Sequence, residues 1–104
     1  MLVTTSEKPS IATRSLASKS AKKLNAEFFP RGKRPLSKLI EKGLREGHGA
    51  ILVFTQRNGA PFSVKAIELR GGQWHYLLES RLGTGFDPKR FAEGVRELAG
   101  SGQL

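Results

Sequence analysis

Apolar and polar residues along this chain repeat with two periods, one helical and one extended, and the two alternate. Leu36, Leu39, Ile40, Gly43 and Leu44 fall at i, i+3, i+4, i+7 and i+8, the spacing of one helical face. Pro35 suits the first turn of that helix, and Gly47 can supply the left-handed residue that ends it. A second helical stripe runs from Ile11 to Leu24. There Thr13, Leu16, Ala17, Ser20, Ala21 and Leu24 share a small, apolar face, while Arg14, Lys19, Lys22 and Lys23 point elsewhere. Ser10 is its natural N-cap, and Asn25 ends it. Asp87 and Pro88 open a third helix as N-cap and first residue, with Phe91, Val95 and Leu98 predicted as its buried stripe, before Gly100-Ser101-Gly102 releases a frayed end over 99–104.

The extended segments lie between these helices. Leu2-Val3-Thr4-Thr5 and Ala26-Glu27-Phe28-Phe29 are short and β-favouring. Ala50-Ile51-Leu52-Val53-Phe54 is continuously apolar, as expected of a central strand covered on both faces. Arg57 to Pro61 reads as a turn, Phe62 to Leu69 as a strand, Gly71-Gly72 as a tight turn, and Gln73 to Leu78 as a strand with Trp74, Tyr76 and Leu78 on one face. The order β-α-β-α-β-β-β-α predicts a single α/β domain over residues 1–104. Its mixed sheet has a parallel core built by two right-handed crossovers and an antiparallel meander at one edge.

Length agrees with one domain: 104 residues can bury one core. Charge adds more. Lys and Arg outnumber Asp and Glu by 18 to 9, giving +9, and residues 1–50 carry +7 of it against +2 for the remainder. Such a field attracts polyanions, nucleic acid first among them. A membrane surface would call for an amphipathic helix with large apolar side chains beside its lysines, which is only weakly present, and no apolar run approaches a bilayer span. The first residues lack the features of a signal peptide, so a cytoplasmic location is expected. The chain has no cysteine, which excludes disulfides, thiolate metal sites and cysteine nucleophiles.

Where would a polyanion bind? Loops at the carboxyl ends of parallel strands share one edge of a sheet. The loop after the first strand carries Lys8 and leads through Ser10 to Thr13 and Arg14 on the first turns of a helix, where hydroxyls, cations and free amides can meet a phosphate. Plain capping is an equal reading of these residues, with Ser10 satisfying the helix, Thr13 packed and Arg14 solvated. The loop after the second strand, Arg31-Gly32-Lys33-Arg34, gathers cations around a glycine that allows close backbone approach. Arg57 and Asn58 follow the third strand. Together these residues form the expected RNA-binding edge, built on phosphate contacts.

The same segments carry a family resemblance. Thr4 to Ser15, reading Thr-Thr-Ser-x-Lys-Pro-Ser-x-x-Thr-Arg-Ser, resembles the opening motif of the archaeal Brix-domain proteins, which are similar to ribosome-assembly factors of the Imp4 type. Phe29-Pro30-Arg31-Gly32-Lys33, leading into Leu36-Ser37-Lys38-Leu39-Ile40, resembles that family's Arg-Gly-Lys loop and second helix, and Arg57 to Pro61 resembles its Gly-Asn-Pro turn. The likeness spans residues 1–70. It departs at Glu7, where the family often has Arg, at Ile11-Ala12, which replaces a polar or basic pair, and at Leu16 for a common Phe. The resemblance implies a fold similar to the anticodon-binding domain of class IIa aminoacyl-tRNA synthetases. It also implies a role holding ribosomal RNA in ribosome biogenesis. The family's domain has two similar halves, and this chain has the length of one, resembling the N-terminal one. It would then stand alone as a half-length member, or pair with itself or with another ribosome-assembly protein.

Catalysis finds little support, and neither a metal site nor a cofactor is predicted. His48 and His75 lie far apart without ligands at metal spacing, Gly47-His48-Gly49 reads as a helix exit, and Gly83-Thr84-Gly85 lacks the lysine and spacing of a nucleotide loop. Phe28, Phe54, Phe62, Trp74, Tyr76 and Phe91 are assigned to packing, with Trp74, His75 and Phe86 kept as minor candidates for base contact. Two other readings stay open: a nucleic-acid-binding chromatin protein of the Alba-like kind, and an interaction module placed on RNA by a protein partner.

Overall fold

The computed structural model describes residues 1–99. Its elements are β1 (Leu2–Thr5), α1 (Ile11–Lys23), β2 (Glu27–Phe28), α2 (Leu36–Arg45), β3 (Ala50–Arg57), β4 (Ala60–Arg70), β5 (Gln73–Arg81) and α3 (Pro88–Ala99). The strands form one sheet in the order β2-β1-β3-β4-β5. β1 pairs in parallel with both β2 and β3, and β3, β4 and β5 form an antiparallel meander. From β1 the chain steps outward to β2 and then back past β1 to β3. Crossovers of one hand in opposite directions place their helices on opposite faces, and α1 and α2 do lie on opposite faces.

The continuous apolar run of β3 divides between the two layers. Leu52 and Phe54 pack with Ala17 and Ala21 of α1 and Phe91 and Val95 of α3, while Ile51 and Val53 pack with Leu39 and Ile40 of α2. All of β1 is buried, including Thr4 and Thr5; the Thr4 hydroxyl donates to the carbonyl of Phe29 at 2.8 Å. Gly43 lets α2 settle closely on the sheet, because a Cβ there would lie 2.5 Å from Leu69 Cδ1.

Four expectations change in detail. Pro35 is the extended N-cap residue of α2, with ψ 157, one position before the first turn. The expected five-residue turn after β3 shrinks to Asn58-Gly59, both at positive φ (51 and 77), so β3 and β4 run almost to its ends. The buried stripe of α3 is Pro88, Phe91, Ala92, Val95 and Ala99, whereas Leu98 is 59% exposed. Three-residue steps taken from Val95 drift off a face that Ala99 holds at i+4, since a helix repeats every 3.6 residues. In β5 the register shifts opposite Ala66 and Ile67, which pair with Leu78 and Tyr76, leaving Leu77 as an inserted residue. Alternation therefore breaks. Trp74 and Tyr76 lie on the face of Ile67 and Leu69, and Leu78 lies with Leu77 against the opposite core.

α3 continues through Ala99, and the expected release at Gly100-Ser101-Gly102 lies outside the described residues. Among the described residues, no helix is long and apolar enough to cross a membrane.

Candidate nucleic-acid interface

The segments at the carboxyl ends of β1, β2 and β3 are stitched together by hydrogen bonds from backbone amides. Ser6 N donates to the carbonyl of Phe54 at 2.9 Å, Lys8 N to the carbonyl of Gly32 at 3.1 Å, and Ser10 N to Gln56 Oε1 at 2.6 Å. Gly32 adopts φ 58, which favours glycine, and Lys8 itself sits at φ 49, held by that bond to Gly32. Lys8, Ser10, Arg14, Arg31, Gly32, Lys33, Arg34, Arg57 and Asn58 thus all lie at one edge of the sheet.

Their environments differ. Ser10 caps α1 through its hydroxyl, which accepts from Thr13 N at 3.2 Å and bonds the Thr13 hydroxyl at 2.9 Å. Thr13 is fully buried, so its hydroxyl shapes the start of the helix from within. Arg31 is also buried, at 7% exposure. Its Nη1 donates to the carbonyl of Thr5 at 3.0 Å and its Nε to the carbonyl of Arg34 at 2.8 Å, with Glu7 3.8 Å away. Burial pulls the Arg31 guanidinium below the usual arginine range, and the Glu7 carboxylate opposes that shift. Arg34 closes the loop by donating to the carbonyl of Pro30 at 2.9 Å and lies over the Phe29 ring, 4.9 Å from its centroid.

The remaining cations face solvent. Lys8, Arg14, Lys33, Arg34 and Arg57 are exposed, and among the described residues none has a carboxylate within 4 Å. Arg14, Arg31 and Arg34 line a cavity of about 190 Å³ together with Thr5, Pro9 and Pro30. Ile11 and Ala12, which depart from the family motif, are exposed beside it.

Two cations, Arg81 and Arg90, were not among the residues expected from sequence at this edge. Arg57 and Arg81 both stack on the ring of Phe62, at 4.6 and 4.3 Å from its centroid. Arg81 ends β5 opposite Ser63, so it belongs to the same edge. Ending the strand at Leu78 had hidden it; the bulge at Leu77 broke the alternation that would have carried the strand further. Arg90, in the first turns of α3, lines a cavity with Arg81 and Phe86. Phe86 packs edge-on against Phe54 at 6.0 Å. His75 is exposed on β5. Trp74 and Tyr76, expected in the core, are 42% and 56% exposed, because the bulge turns them to the α2 face and α2 does not reach β5.

At the opposite end of the sheet one cluster of charges is paired. Lys42 Nζ lies 3.0 Å from Glu27 and 2.6 Å from Glu46, and His48 Nε2 lies 3.3 Å from Glu27 and 3.4 Å from Glu46. Glu27, Glu46 and His48 can bring ligand atoms within 4.8 Å of one another, a grouping that sequence spacing concealed because Glu27 comes from β2. The Lys42 ammonium already bridges both carboxylates and fills the role a cation would have. Its hydrogen bond holds the Glu46 carboxyl below the usual carboxylate range, and the bonds to Glu46 and then Glu27 raise Lys42. This cluster is paired, whereas the exposed cations of the basic edge have no carboxylate within 4 Å among the described residues.

No known protein-family model matches the chain. A "probable Brix domain-containing ribosomal biogenesis protein" of Methanothermobacter thermautotrophicus is 35% identical to it over 78 residues, which is 75% of this chain and 48% of that protein. The chain is a homologue of an archaeal Brix-domain protein. It spans about half the length of that Brix relative. The crystal structure of Mil, an archaeal Imp4-like protein, is similar with a TM-score of 0.60 and 32% identity, again over 75% of this chain and 48% of that one. A probable ribosomal biogenesis protein from Aeropyrum pernix matches over 96% of this chain and 71% of its own, with a TM-score of 0.69; at 20% identity that likeness concerns the fold.

Proposed function

We propose that this chain is a non-catalytic RNA-binding protein of ribosome biogenesis, which holds ribosomal RNA by phosphate contacts along the basic sheet edge. The observation that carries this reading is the gathering of Lys8, Arg14, Lys33, Arg34 and Arg57 at one edge, exposed and, among the described residues, without carboxylate partners. Unpaired cations keep their full attraction for phosphate, and the counterions they release on binding drive affinity. Gly32 allows the backbone to approach, and Asn58 adds an exposed amide at the turn. Ser10 and Thr13 fix the start of α1, and Arg31 fixes the loop that presents Lys33 and Arg34. The name carried by the Brix relative supplies the cellular context.

In this reading the chain needs no cofactor, metal or membrane. It works where ribosomal subunits are assembled, in the cytoplasm of a cell without a nucleus. In this reading the chain's other partner is a second copy of itself or another ribosome-assembly protein, or it acts alone on RNA.

Competition between structured ribosomal RNA and duplex DNA at matched phosphate concentration tests the proposal. Preference for ribosomal RNA is the expected result. Equal affinity for duplex DNA would move the reading to a chromatin protein, and failure to bind either would point to a partner that places the chain on RNA.

A further inference from the structure

We propose that the open sheet face beside the basic edge is a stacking platform for unpaired RNA bases, built by Trp74 and Tyr76. This rests on the RNA-binding reading above and extends it from phosphates to bases. Trp74 and Tyr76 are among the few large apolar side chains exposed among the described residues, and they lie together, with ring centroids 5.3 Å apart and an interplanar angle of 82°. They share the sheet face on which α2 packs, but α2 covers β1, β3 and part of β4 and leaves β5 bare. Ile67 and Leu69 stand opposite Tyr76 and Trp74 in register, as cross-strand neighbours on this face. That pairing does not explain why two aromatic rings stand in solvent on a strand where small or charged residues would be tolerated.

The occupant follows from what adjoins the rings. A cavity of about 310 Å³ is bordered by Tyr76 and Lys65 on the bare face and by Ser6 and the Arg31–Glu7 pair at the basic edge, so the two surfaces are continuous. Lys65 stands opposite Glu79 in register, yet Glu79 accepts from the Ser63 hydroxyl at 2.6 Å, and among the described residues no carboxylate lies within 4 Å of Lys65 Nζ. An unpaired cation beside exposed rings, joined to an edge of unpaired cations, suits a strand that is anionic along its backbone and flat at its bases. A second copy of this chain, itself strongly basic, lacks that complementarity, and a peptide does not offer a flat face at each unit of an anionic backbone. Single-stranded RNA has it, because every base offers a π-face while its phosphate follows the cations. A paired duplex keeps its bases stacked inside and would engage only the edge.

Trp74 is the sole tryptophan of the chain, so its emission reports on this face without any substitution. The experiment titrates the intact protein with a labelled oligouridylate and with an RNA duplex, reading label anisotropy for binding and Trp74 fluorescence for stacking. The expected result is quenching that saturates together with anisotropy for the single strand, and binding without quenching for the duplex. Replacing Trp74 and Tyr76 by Leu should lower single-strand affinity about 5- to 150-fold per stacked base, with Phe at either position restoring most of it and duplex affinity unchanged. Single-strand binding with unchanged Trp74 emission would overturn the platform and leave the phosphate reading standing. Absence of any RNA binding would remove both. Emission that changes with protein concentration alone, alongside dimer formation in sedimentation, would overturn the platform by assigning the face to a second copy.

Discussion

Arg31 Nη1 donates to the main-chain carbonyl of Thr5 at 3.0 Å, so the loop that displays the solvent-facing cations is anchored to β1 by a cation that is itself buried. The guanidinium spans two acceptors, Thr5 and Arg34, in a fixed fork that an ammonium cannot reproduce. Arg31→Lys should therefore lower stability by about 1–3 kcal/mol, the range for leaving a buried acceptor unsatisfied. It should also weaken RNA binding although charge is conserved. Lys33→Gln, by contrast, should leave stability within about 0.5 kcal/mol, as a surface substitution does, and weaken RNA binding alone. Urea unfolding and anisotropy on the two variants check this division. Equal stability losses would contradict it.

The Lys42, Glu46 and Glu27 cluster predicts a pH dependence with two flanks. Glu46 is depressed by the Lys42 ammonium, so its contribution is present above the usual glutamate value and lost as pH falls through the depressed folded value. Lys42 is raised, chiefly by its hydrogen bond to Glu46, so its contribution is complete below the usual lysine value and lost as pH rises through the raised folded value. Lys42→Met should remove both flanks and return the Glu46 carboxyl towards its usual range. NMR titration of Glu46 in the two proteins measures this, and an unmoved Glu46 would refute it. The groups are solvent-accessible, so added salt should shrink the effect.

Two helical glycines should respond in opposite senses. A side chain at Gly43 meets Leu69 and Ile51 in the sheet-facing core, so Gly43→Val should destabilise the fold by about 1–3 kcal/mol through overpacking. Gly94 of α3 has nothing within 4 Å of the position a Cβ would take, so Gly94→Ala should stabilise by about 0.5–1 kcal/mol through helix propensity. Thermal melting of both variants decides the matter; a stabilising Gly43→Val would mean that α2 does not sit as described.

The element order was legible in the chain because helical stripes and the β3 run are long, and because Ser10, Gly47 and Asn58-Gly59 punctuate them with strong local chemistry. The meander was less legible. One inserted residue at Leu77 reverses which side chains share a face, and no local signal separates a bulge from regular alternation. That single event hid Arg81, placed Trp74 and Tyr76 in the core, and shortened β5. The site was legible as a list of loop residues at one sheet edge, since topology alone gathers those loops. Solvation was not: Arg31 and Thr13 look like their neighbours in sequence, and only the fold shows that they are buried and bonded inward while Lys33 and Arg14 face water.

The central claim is that unpaired cations at the basic edge bind RNA phosphates. The slope of log affinity against log salt for a single-stranded ribosomal RNA segment tests it most directly, measured for the intact chain and for Arg14→Gln, Lys33→Gln and Arg57→Gln combined. Each phosphate contact contributes about −0.7 to that slope, so losing the three side chains should flatten it by about 2 while thermal stability stays nearly constant. A slope that is shallow from the start, or unchanged in the triple variant, would contradict the account.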